Sequence, residues 1–170
     1  MDEILTLIDQ IIEEHKQIIP KVQTLEQTAN DLGAILALEE AKEDFLPGRL
    51  GTQGQGLQNL QGLLETIDQG LQVHFDREER GLLAAFEKYG DKMFASALHV
   101  LLLEHEELKN RITKSRKEAA ELAVGRFSRE VWEGRAYGIG VYINHTCKLL
   151  EAHVQSEQEL LRRLRKDLRA

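Results

Sequence analysis

The chain has 170 residues, 42% hydrophobic and 30% charged, with 22 basic against 29 acidic residues and a net charge of −7. These proportions fit one folded domain spanning residues 1–170 rather than a disordered chain, and the acidic balance argues against a general nucleic-acid binder. Two prolines and 5% aromatics point to helices packed through aliphatic side chains, and a single cysteine, Cys147, excludes an internal disulfide, a CxxC redox pair and a multi-thiolate zinc site.

Apolar residues recur at steps of three and four along the chain, the period of an amphipathic helix. The first seam reads Ile4, Ile8, Ile11, a gap at 15, then Ile18, Val22 and Leu25. Pro20 predicts a bend or local break, and Asn30-Asp31-Leu32-Gly33 predicts the end of this helix. A short extra helix is expected over 34–45, then a loop around Pro47, Gly48, Gly51, Gly54 and Gly56, so that 34–56 forms an insertion. The second helix carries Leu57, Leu60, Leu64, Ile67 and Leu71, then polar residues at 74 and 78, and runs to about Lys88. Its entry is a polar stretch with Gln53, Gln55, Gln58 and Gln61.

After a turn at Tyr89-Gly90-Asp91, with Asp91 as N-cap, the third helix shows Phe94, Leu98, Leu101, a gap at 105, then Leu108, Ile112, Ala119 and Leu122. Gly125 occupies a C-terminal stop position and Ser128 an N-cap position. The fourth helix carries Trp132, Ala136, Ile139, Ile143 and Leu150, polar residues at 153 and 157, then Leu160 and Leu164. Its basic end, with Arg162, Arg163, Arg165, Lys166 and Arg169, reads as a solvated terminus that suits the helix dipole. Four amphipathic helices with short links give an all-α, up-down-up-down four-helix bundle. No apolar run, Ala34 to Leu38 included, exceeds five residues, far short of a membrane span. The start Met-Asp-Glu has no basic leader, so a cytoplasmic location is expected.

The polar residues in the seams are His15, His74 and Glu78, His105, and His153 and Glu157. With two positions in seven on a narrow seam, roughly one or two of the six histidines would fall there by chance. Four do, one per helix, and each His-x-x-x-Glu pair lies on one helix face. Their heights agree as well. His74 is 16 residues before Gly90 and His105 is 15 after it, while His15 is 15 before Asn30 and His74 is 18 after Gly56. At about 1.5 Å per residue the mismatches are a few ångström, so all six groups can share one core layer. Two buried carboxylates without a Lys or Arg in the seam need a positive charge, and one or two dications supply it. Four imidazoles and two carboxylates suit iron, manganese or zinc. Two metals bridged by Glu78 and Glu157, each capped by two histidines, use all six ligands and leave positions open. An apolar wall of Ile11, Ile18, Leu71, Leu101, Leu108 and Leu150 favours a small neutral ligand.

The pieces EEHKQI around His15, HFDREE from His74, LLEHEEL around His105 and HVQSEQELL from His153 resemble the hemerythrin-like, or HHE cation-binding, family over nearly the whole chain. The resemblance implies a four-helix bundle holding two non-haem iron ions, bridged by carboxylates, that binds oxygen, nitric oxide or peroxide or serves iron handling. Positions 101 and 109, where oxygen carriers place a further histidine, are Leu101 and Lys109. The helix-four pair is spaced by four to Glu157 rather than by five to an aspartate. The four-His, two-Glu set is more similar to the di-iron bundle of iron–sulfur repair proteins, without their N-terminal cysteine-pair domain. That likeness offers Glu104 as an outer acid beside the site, with a solvated flank residue as the equal alternative.

A metal-binding or sensing protein is favoured over a dedicated enzyme. A ferritin-like oxidase needs Glu-x-x-His pairs, and the residues three before the four histidines are Ile12, Leu71, Leu102 and Leu150. A slow di-iron oxidase or peroxidase and an interaction bundle with a structural metal are the alternatives. His99 and His145 read as surface or structural residues, Tyr137, Tyr142 and Thr146 as packing residues, and Cys147 as a small buried one.

Overall fold

The structure is a computed structural model that describes the backbone of residues 2–39, 51–89 and 92–170, and side-chain surroundings for 2–30, 56–89 and 92–170. Four helices make it up: α1 (Asp2–Glu39), α2 (Gly51–Tyr89), α3 (Lys92–Val124) and α4 (Arg129–Arg169). No strand occurs among the described residues. α1 and α3 each pack against both α2 and α4, which places the four helices around a square.

The apolar core falls into two clusters. One contains Val22, Leu25, Leu60, Leu64, Phe75, Leu108, Ile112, Trp132, Ile143 and Leu150. The other contains Ile8, Ile11, Leu82, Phe86, Leu98, Leu161 and Leu164. Their order along the chain reverses from each helix to the next, as an up-down-up-down bundle requires. Between them lies one polar layer, in which His15, His74, Glu78, His105, His153 and Glu157 are all buried.

Several local expectations are corrected. α1 is continuous across Pro20, with no break. Pro20 and Lys16 lie on the exposed face, so water can satisfy the Lys16 carbonyl freed by the missing N–H. The helix does not stop at Asn30–Gly33 either, but runs on to Glu39. One glycine costs about 1 kcal/mol, and the run Ala34–Glu39 consists of helix formers. Residues 34–39 are therefore the end of α1 rather than a separate helix, and 40–45 lie outside the described residues. Likewise Gly51, Gly54 and Gly56 belong to the first turns of α2, not to a loop. Pro47, Gly48, Gly90 and the proposed cap Asp91 lie outside the described residues.

The α3–α4 corner is built as expected, with one change of reason. Ser128 caps α4 from an extended conformation, its hydroxyl accepting from the Val131 N–H at 3.3 Å. Gly125 follows α3 directly, and its N–H donates to the Glu121 carbonyl at 2.8 Å. Its backbone is not left-handed; it is small because the Phe127 ring would lie 2.1 Å from a Cβ at this position. The indole N–H of buried Trp132 donates to the Leu122 carbonyl at 3.1 Å and ties the two helices together. In the basic end of α4, Arg165 pairs with Asp9 of α1 at 2.8 Å. Among the described residues no helix is long and apolar enough to cross a membrane.

Candidate metal centre

Helical period sets the site. His74 and Glu78, like His153 and Glu157, stand one turn apart on an inward face, while α1 and α3 contribute one histidine each. All four imidazoles turn Nε2 inward. Glu78 Oε1 is 2.5 Å from His74 Nε2 and 3.5 Å from His15 Nε2, while its Oε2 is 3.1 Å from His105 Nε2. Glu157 mirrors this: Oε1 is 2.9 Å from His15 Nε2, and Oε2 is 3.3 Å from His153 Nε2 and 3.9 Å from His105 Nε2. Each carboxylate thus gives one oxygen to the His15–His74 pair and the other to the His105–His153 pair.

Two groups of four converge, His15, His74, Glu78 and Glu157, and Glu78, His105, His153 and Glu157, with the donor atoms of each group within 4.8 Å of one another. Short as these separations are, the four oxygens of Glu78 and Glu157 and the Nε2 of His15 have no hydrogen-bond partner. Across the layer, His105 Nε2 faces His153 Nε2 at 3.1 Å. Lone pairs therefore aim at shared points between the residues rather than at N–H donors. That is the arrangement cations fit, and among the described residues neither carboxylate pairs with Lys or Arg.

Electrostatics carry the same message. Burial pushes the His15 and His105 imidazoles down, but contact with Glu157 and Glu78 outweighs it and raises both to about 9. Burial alone would raise Glu157; contact with Glu78, His105, His15 and His153 instead holds it well below the usual carboxylate range. The layer demands positive charge, and in the absence of metal only protons on the imidazoles supply it.

Behind three of the imidazoles stands an acid from a neighbouring helix. Glu14 of α1 accepts from His74 Nδ1 at 2.5 Å, Glu79 of α2 from His105 Nδ1 at 3.1 Å, and Glu104 of α3 from His153 Nδ1 at 2.8 Å. A proton held on Nδ1 leaves the Nε2 lone pair free for a metal, orients the ring and raises its basicity. Arg77 pairs with Glu14, and Lys109 lies 3.6 Å from Glu79. Of these acids Glu104 was anticipated from the family likeness, whereas Glu14 and Glu79 were missed. Their one signal was adjacency, since each flanks a seam residue in sequence. Phe75 was also missed: its ring stacks on His105, centroids 3.8 Å apart and planes 11° from parallel.

Of the expected wall, Ile11, Leu71, Leu101, Leu108 and Leu150 are buried and Ile18 is half-buried. A groove of about 220 Å³ between α3 and α4 is lined by Glu104, Leu108, Leu149, Ala152 and His153, beside the buried layer. His99 and His145 are exposed and apart from the layer. Tyr137 is 73% exposed, so it packs nothing. Tyr142 lies under the Arg111 guanidinium, 4.0 Å from its ring centroid, and buried Thr146 accepts from Arg111 Nε at 2.8 Å. Cys147 is buried, and burial pushes its thiol up to about 12, so it is inert.

Neither a curated protein nor a solved structure matches the chain. The family model described as Hemerythrin HHE cation binding domain matches residues 6–164. With its bundle and its buried His/Glu layer, the chain belongs to the hemerythrin HHE cation-binding family.

Proposed function

We propose that the protein holds two iron ions, with His15 and His74 on one, His105 and His153 on the other, and Glu78 and Glu157 bridging both. The carrying observation is the split of both carboxylates, one oxygen towards each histidine pair. Nitrogen and oxygen donors without a thiolate suit iron, and they accept manganese or zinc as substitutes. Each ion then has four protein donors, short of the six an octahedral ion takes, so positions remain for a small ligand.

When bound, such a pair supplies reversible ligand binding and one-electron chemistry. The chain's own residues do the rest. Glu14, Glu79 and Glu104 hold protons on Nδ1 and fix the imidazoles; Phe75 and the two apolar clusters exclude bulk water. The small ligand of this reading is oxygen, nitric oxide or peroxide, and the groove between α3 and α4 brings the surface close to His153. The open positions on each ion support a small-ligand sensor, binder or iron-handling protein over a bundle with a structural metal. A cytoplasmic location, where ferrous iron is available, fits this reading.

Anaerobic loading with Fe(II), followed by oxidation, metal analysis and absorption spectroscopy, tests it. The expected result is about two irons per chain, the number two bridged metals require, with near-ultraviolet charge-transfer bands that change on adding azide or nitric oxide. A protein that stays colourless, or takes up zinc but no iron, would overturn the assignment.

A further inference from the structure

The polar layer has a near-twofold repeat. Glu14-His15 of α1 matches Glu104-His105 of α3, and His74, Glu78 and Glu79 of α2 match His153, Glu157 and Gln158 of α4. Exchange of the two helical hairpins interconverts the halves. Glu14 reaches His74 as Glu104 reaches His153. By the same operation, Glu79, which reaches His105, corresponds to Gln158 of α4, and His105 corresponds to His15.

Among the outer acids the repeat fails there. Position 158 is a neutral amide, and His15 Nδ1, although buried, has no hydrogen-bond partner. A basic side chain stands by an outer acid in each half, Arg77 by Glu14 and Lys109 by Glu79, so the difference rests on the acid that His15 lacks. The His105–His153 pair thus has a carboxylate behind both imidazoles, and the His15–His74 pair behind one only.

Resting on the metal centre proposed above, we infer that the two metal positions are unequal: the His105–His153 position fills first and holds its ion, and the His15–His74 position is the exchangeable one. A carboxylate behind a ligating imidazole raises its basicity and restrains its ring, and loss of one such partner costs about 10–100-fold in metal affinity. Gln158 and Glu79 are the positioning residues that set the difference. A centre with one firmly held and one labile ion can exchange the second without dismantling the first.

Zn(II) added to the metal-free chain, with the four imidazole Nε2 resonances followed by 1H–15N NMR, separates the outcomes. At one equivalent His105 and His153 shift, and His15 and His74 follow only with the second, at a free concentration roughly 10–100-fold higher. In Gln158→Glu all four shift together at the first equivalent, and Glu79→Gln, which weakens the other half, also erases the order. Simultaneous filling in the unaltered chain, reverse order, or an order unchanged in both variants would overturn the inference while leaving the centre standing. No shift of any imidazole would remove the centre itself, and the inference with it.

Discussion

Single side chains in the polar layer have two ways to meet their demand for positive charge, and pH distinguishes them. His15 and His105 are lifted in the fold from the ordinary 6.5 to about 9. Their protonation therefore stabilises the metal-free fold fully below pH 6.5, and that contribution is lost as pH rises through 9. Glu157 acts in the opposite sense. Its lowered value contributes stability above about 4.5, lost as pH falls through the lowered folded value. The metal-free protein should accordingly be most stable between roughly pH 4.5 and 6.5, and its melting temperature should drop between pH 6.5 and 9. With metal bound the imidazoles carry no proton on Nε2, so the loaded protein should lack that drop, and metal affinity should rise over the same interval. Thermal melts of both forms at pH 6 and 9 check this; a flat metal-free profile would contradict the assigned proton sites.

At the scale of elements, the helices tolerate local breakers because long amphipathic faces outweigh them. Pro20 sits on the exposed side of an unbroken helix, where it withdraws a backbone hydrogen bond and gains no packing in return. Pro20→Ala should therefore stabilise the protein by about 1–3 kcal/mol, seen as a higher denaturation midpoint with an unchanged slope. Ser128→Ala should do the reverse and cost about 1 kcal/mol through loss of the cap; a conservative Ser128→Thr should retain most of it. Hydrogen exchange at the first turn of α4 would locate the second effect, since a lost cap frays that turn before the rest of the helix. The breakers misled the reading of α1 and α2 for a related reason. Gly33, Gly51 and Gly54 carry local preferences of about 1 kcal/mol each, less than a helix of several turns gains by burying one face.

Taken whole, the molecule is two apolar clusters with a charged layer between them. The two clusters should hold the bundle without metal, and metal in the layer between them should add to stability. Removal of metal by a chelator should leave a helical protein that melts at a lower temperature. An ion present at about a hundredfold above its dissociation constant adds about 2.7 kcal/mol, which for a chain of this length corresponds to roughly 5–10 °C in Tm. Circular dichroism before and after chelation, with metal restored as the control, checks both parts; an unchanged Tm would mean that the layer holds no metal in the folded chain.

What the amino-acid order determined by itself was the helical period, the four seams and the level at which His15, His74, Glu78, His105, His153 and Glu157 interrupt them. Period and rise per residue are constants of the backbone, so residues spaced by them meet wherever the helices pack side by side. Ser128 and the Gly125 corner were legible for the same local reason. Tertiary structure alone decided which oxygen of each glutamate faces which histidine pair, and which acid backs which imidazole. Glu14, Glu79 and Glu104 stand beside the seam, and their partners lie on the next helix around the bundle. Order and handedness of four packed helices are not written in the spacing along any one of them. For the same reason the missing acid behind His15 became visible only once the helices were in place.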